Sequence, residues 1–73
     1  MSLFTEKLIQ VRNEKKMHKI DVAHLFGWTP MYYGRYENGY LVPKGENIKR
    51  FADFMGITIG ELIQILDKDK KKW

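Results

Sequence analysis

Cysteine is absent from this 73-residue chain. No disulfide framework and no thiolate metal site can be built, which fits a reducing compartment. Long apolar runs are absent too. Nothing approaches the ~20 consecutive apolar residues that span a bilayer, and no basic-then-apolar leader opens the chain. Neither membrane insertion nor secretion is expected, and a cytoplasmic location is. Histidine is scarce. His18 and His24 lie six positions apart, the wrong spacing for one helix face. No nucleophile has a base near it in sequence, and no glycine-rich phosphate loop occurs. An enzyme is not expected, and neither is a metal or other cofactor.

What is present suits one small domain. The composition is 44% hydrophobic and 14% aromatic, enough for a single core. A chain of this length buries only about 60% of its unfolded surface, so little stability is spare. The formal charge is +4. The last seven residues, DKDKKKW, carry four lysines against two aspartates, and the body is only mildly basic. That balance suits an anionic partner, and it also suits plain solubility.

Apolar spacing and punctuation divide the chain into five short helices with no convincing strand. Phe4, Leu8 and Val11 recur at i, i+4, i+7 in SLFTEKLIQVRNEKK, one face of a helix. In HKIDVAHLFGW the stripe is Val22, Ala23 and Phe26, with His18 as a modest cap and Gly27 as the stop. Ile20 and Leu25 fall off that stripe as possible contact points. Thr29 is a favoured N-cap and Pro30 fits the first helical position, so a third helix is expected from Pro30 to about Asn38, ended by Gly39. The β-formers at 31 to 33 are outweighed by those flanks. YLVPKGE reads as a loop around Pro43. Ile48, Phe51, Ala52 and Met55 mark a fourth helix before Gly56. Thr58 with Glu61 three residues on makes a capping-box pattern, and Ile59, Leu62, Ile63 and Leu66 are the expected apolar face of the fifth.

The third helix has an unusual outer side. At about 100° per residue, Tyr33, Tyr36 and Glu37 share one side. Met31, Gly34, Arg35 and Asn38 share the other, with Tyr32 at the flank. The outer side has no acid. It holds a methionine that solvates poorly, and a glycine whose mid-helix cost is about 1 kcal/mol against alanine. Either this is a short helix with tolerant surface residues, or the face is shaped for a partner. Glu37 on the inner side needs a counter-charge. Arg12, one residue past Val11, can supply it. The alternative is that both are solvated.

RNEKKM, KIDVAHLFGWT, YYGRYENG, Pro43 and FADFMGITIGEL, in this order and spacing, resemble the Cro/phage-repressor-type helix-turn-helix family, the xenobiotic-response-element regulators. The likeness runs from about Phe4 to Leu62. It implies an all-α, compact five-helix, lambda-repressor-like domain over residues 1–66, followed by a short charged tail at 67–73. No separate effector or oligomerisation domain is expected.

The resemblance implies a sequence-specific DNA-binding transcriptional regulator, repressor-like, with its third helix in the major groove of double-stranded DNA. Carried over by position, Ala23 is the small residue between the second and third helices, Gly27 makes their turn, and Arg12 and Glu37 form a structural ion pair. Pro30, Met31, Tyr32 and Arg35 take the base-facing positions. Lys19, Thr29, Asn38, Tyr40 and Lys44 are expected at the DNA backbone, and any one lysine can equally be a solvated charge. Family members commonly have Gln, Ser or Arg where Pro30, Met31 and Tyr32 stand, so this reading alphabet is reduced. Arg35 remains as the obvious guanine reader and Met31 as an apolar contact, for instance with a thymine methyl. A homodimer on a palindromic operator is expected, with Ile63, Ile65 and Leu66 as interface candidates. Two of those three can equally be core. Trp73 can dock on the body. The alternative function is a protein-binding helix-turn-helix module of antitoxin or antirepressor type, motivated by Met31, Tyr32, Ile20 and Leu25.

Overall fold

Ser2 opens the first helix by accepting the backbone N–H of Thr5 at 3.1 Å, and the Thr5 hydroxyl accepts the Ser2 N–H in return. The computed structural model describes residues 2–71, and these form five helices. They are α1 (Leu3–Glu14), α2 (Lys19–Phe26), α3 (Pro30–Glu37), α4 (Glu46–Met55) and α5 (Ile59–Lys70). No strand occurs among the described residues. α2 packs on α3, α5 spans α1 and α4, and α1 reaches both α3 and α4. Leu8, Val22, Tyr33, Phe51 and Leu62 meet at the centre, one from each helix, all essentially without exposure. Phe4, Phe26 and Tyr36 surround Phe51 with ring centroids 4.9–5.3 Å away.

Glycine takes the left-handed position after α2, α3 and α4. Gly27 lies at φ 76, the Trp28 N–H returns to the Ala23 carbonyl, and the Gly27 N–H returns to His24. This pair of bonds turns the chain sharply from α2 into α3. α1 closes with the same pair of bonds, to Arg12 and Asn13, around Lys16 at φ 56. A β-carbon is unfavourable in that conformation.

His18 takes the N-cap position of α2 as expected, and the capping bond runs from its backbone N–H to the Asp21 carboxylate at 2.9 Å. Two expectations need correction. The core stripe of α5 is Leu62, Ile65, Leu66 and Asp69, not Ile59, Leu62, Ile63 and Leu66. Ile59 and Ile63 are 43% and 42% exposed. Both sets have helical spacing and share two leucines. The observed one wins because α5 packs on both α1 and α4, with Asp69 reaching the start of α1. Lastly, residues 67–70 continue α5 instead of starting a tail. Asp69 ends the inward stripe, and its carboxylate accepts the N–H groups of Leu3 at 2.7 Å and Phe4 at 3.1 Å. Those are two of the four donors that a helix start leaves unpaired. The expected docking of Trp73 lies outside the described residues.

Asp69→Ala is therefore expected to destabilise the fold by about 1–3 kcal/mol, the range for charge-assisted bonds to partly buried donors. In a domain of this size each kcal/mol lowers Tm by about 4–8 °C. Thermal melts of Asp69→Ala beside Asp67→Ala check this, with Asp67, which is exposed, as the neutral control.

Candidate nucleic-acid interface

Thr29 caps α3, its hydroxyl accepting the Tyr32 N–H at 3.2 Å, and Pro30 fills the first helical position. The other end closes on Gly39 at φ 84, with the Tyr40 and Leu41 N–H groups both returning to the Arg35 carbonyl at 2.9 and 3.1 Å. α3 is thus an eight-residue rod pinned at each end. Tyr33, Tyr36 and Glu37 are its buried residues.

The inner side is held by charge. Arg12 Nε lies 2.6 Å from Glu37 Oε2, and a second nitrogen donates to Oε1 at 3.2 Å. The same guanidinium donates to the Met17 carbonyl at 3.0 Å. The Tyr33 hydroxyl donates to Glu37 Oε2 at 2.5 Å. The carboxylate keeps only 2% of its side-chain surface and the guanidinium 13%, so the paired arrangement holds and the solvated one does not. The pair joins α1 to α3. The Glu37 hydrogen bond holds the Arg12 pKa above its ordinary value.

An aromatic column sets the other flank. Trp28, in the turn, stacks on Tyr36 at 5.3 Å and on Phe26 at 4.8 Å, and presents its edge to Tyr32 at 4.9 Å. The Arg50 guanidinium covers both Phe26 and Trp28 at 5.1 Å and donates to the Phe26 carbonyl. Asn47 Nδ2 donates to the Tyr36 hydroxyl at 3.4 Å, and the Tyr36 and Tyr32 hydroxyls lie 3.3 Å apart. Residues from the α2–α3 turn, α3 and α4 thereby fix the Tyr32 ring. Sequence reasoning missed Trp28 and Arg50. Trp28 sat in the expected turn, and its contacts with α4 are non-local.

Burial is the largest cause pushing the Tyr36 hydroxyl up from 10.0 to about 12. Burial also raises Tyr33, joined by its bond to Glu37. Between pH 10 and 12 the folded protein holds these protons while an unfolded chain sheds them. Stability is therefore expected to be full below about pH 10 and to fall as pH climbs toward 12. Denaturation midpoints at pH 9 and 11 read the loss. Tyr36→Phe is expected to show a smaller difference between them.

On the outward side Pro30, Met31 and Arg35 are exposed, Met31 at 75%. Tyr32 is at the margin with 36%. A β-carbon added at Gly34 would meet nothing within 4 Å. Lys19, Thr29, Asn38, Tyr40 and Lys44 are all exposed. Lys19 opens α2, Thr29 caps α3, and Asn38, Tyr40 and Lys44 follow α3 in the chain. Of the interface candidates, Leu66 is core at 8% exposure, Ile65 is half-buried against the core, and Ile63 presents surface. Ile63 borders an open groove of about 870 Å³ between α5 and the 38–45 loop, whose wall includes Val42 and Pro43. Ile20 and Leu25 on α2 are 49% and 64% exposed. Among the described residues no group of acids and histidines is placed to hold a metal, and no helix is long and apolar enough to cross a membrane.

A family model described as helix-turn-helix matches residues 8–62. The chain is similar, at 33% identity over 61 residues, to the cryptic phage CTXphi transcriptional repressor RstR of Vibrio cholerae. That alignment covers 84% of this chain and 55% of the relative, so the chain spans about half the length of the curated relative it matches. No solved structure gives a significant match. The matched segment starts within α1 and ends within α5, enclosing the α2–turn–α3 unit whole, and the chain belongs to the helix-turn-helix family of the Cro/C1 type.

Proposed function

We propose that the protein is a sequence-specific DNA-binding regulator of repressor type that lays α3 in the major groove. The observation that carries this is the outward face of α3. It is capped at both ends and free of acid. Pro30, Met31, Tyr32 and Arg35 face base edges, and Lys19, Thr29, Asn38, Tyr40 and Lys44 take phosphates. Repression acts by occupying a promoter. Ile63 and Val42 beside the α5 groove give two copies a place to meet, so that paired α3 helices reach half-sites about 34–36 Å apart.

Selection of bound duplexes from a random pool, with affinity then read at two salt concentrations, tests the proposal. A palindrome with a steep salt slope is the expected result. Sequence-blind or absent binding rejects it in favour of a protein-binding module, the reading that exposed Ile20 and Leu25 favour.

Gly34→Ala separates stability from binding. The added methyl has open space in the free protein, so stability is expected to rise by about 1 kcal/mol. On DNA the same methyl stands between backbone and base edges, and affinity is expected to fall. Paired melting and binding curves read both. Unchanged affinity would mean that α3 does not approach closely.

A further inference from the structure

The outward face of α3 is short of one kind of chemistry. Base edges in the major groove offer acceptors on guanine (O6, N7), adenine (N7) and thymine (O4), donors on cytosine (N4) and adenine (N6), and a methyl group on thymine. To read an amino donor a protein must present an acceptor, normally a carboxylate or carboxamide. α3 presents none. Its single carboxylate, Glu37, is buried and fully engaged by Arg12 and Tyr33. Arg35 has donors only. Pro30 and Met31 have no polar side-chain group suited to an amino donor. The Tyr32 hydroxyl is engaged by the Tyr36 hydroxyl 3.3 Å away, which also accepts from Asn47. Asn38 has an acceptor oxygen but stands at the C-cap beyond the last helical residue, where it is assigned to phosphate. Met31 is 75% exposed, four residues before Arg35 and three before the open Gly34, so its thioether and the guanidinium share one side with no side chain between them.

We infer that α3 reads keto edges and a pyrimidine 5-methyl group: Arg35 takes guanine, and Met31 takes the methyl of a pyrimidine within the same half-site, whether that methyl belongs to thymine or to 5-methylcytosine. This rests on the DNA reading above and goes further. It makes a carbon substituent a determinant in its own right, so that methylation of cytosine creates a contact instead of blocking one. A methyl laid on a methionine at a water-excluded contact is worth about fourfold in affinity, the value of one buried carbon.

The test uses the full chain and a duplex recovered by selection. Each thymine of one half-site is replaced in turn by uracil, which removes only the methyl. At the position that responds, cytosine and 5-methylcytosine duplexes are compared. Thymine is expected to exceed uracil by about fourfold at one position per half-site, and 5-methylcytosine to exceed cytosine by a similar factor. Met31→Ala is expected to erase both differences, whatever it does to affinity for the uracil duplex. Met31 is so exposed that this variant should fold. Equal binding of thymine and uracil duplexes at every position would overturn the inference and leave DNA binding standing. So would a difference that survives in Met31→Ala. Recovery of no bound duplex would overturn the DNA reading and this inference with it.

Discussion

Arg12→Ala is expected to cost about 3–5 kcal/mol, the range for stranding one member of a buried ion pair. A domain of 73 residues holds only about 4–11 kcal/mol in total, so at the lower end of that range much of the population would unfold. The cost comes mainly from what remains. Glu37 keeps 2% of its surface and would retain the Tyr33 hydroxyl as its only hydrogen-bond partner. Glu37→Gln is expected to be milder. The guanidinium it strands is less buried, at 13%, and still bonds the Met17 carbonyl. Arg12→Lys should recover little, because an ammonium cannot reproduce the two-pronged contact. Urea unfolding of the three variants ranks them. A loss under about 1 kcal/mol for Arg12→Ala would place the pair with ordinary surface bridges. The pair also orients α3 against α1, so the folded fraction of Arg12→Ala should bind DNA less well than its concentration implies.

The local parts of the fold were the legible ones. Thr29, Pro30 and Gly39 mark the ends of α3 because each acts within a few residues of itself. Periodicity on so short a helix still separated Tyr33, Tyr36 and Glu37 from Met31, Gly34 and Arg35. It could not by itself say that Glu37 was paired, since that depends on α1 crossing α3. α5 shows the limit. Two stripes of equal spacing share Leu62 and Leu66, and only the positions of α1 and α4 decide that Ile65 and Asp69 turn inward while Ile59 and Ile63 stay exposed. Asp69 was read as tail charge because its partners, Leu3 and Phe4, stand at the other end of the chain. Lys16 at φ 56 left no sign at all, because the residue that usually marks that conformation is glycine. Trp28 and Arg50 needed α4 in place before their stacking could appear.

Arg35→Ala and Lys19→Ala are expected to fail in different ways, and the contrast tests the assignment of α3. Arg35 projects from the last turn of α3, where its own carbonyl is tied to the Tyr40 and Leu41 N–H groups. The backbone is therefore fixed and the side chain is free to reach. A bidentate contact with guanine O6 and N7 carries about 1–3 kcal/mol of discrimination at one base pair. Removing it should relax preference at that position by roughly 5–150-fold, with a smaller change on unrelated duplexes. Lys19 opens α2 and is exposed. As a phosphate contact it carries charge and no sequence information. Its loss should weaken every duplex alike and reduce the salt slope by about one. Competition binding against a panel of single-base variants, repeated at two salt concentrations, reads both quantities at once. A uniform loss for Arg35→Ala would move that residue to the phosphates and leave Met31 as the main reader. No loss for either variant would remove α3 from the groove.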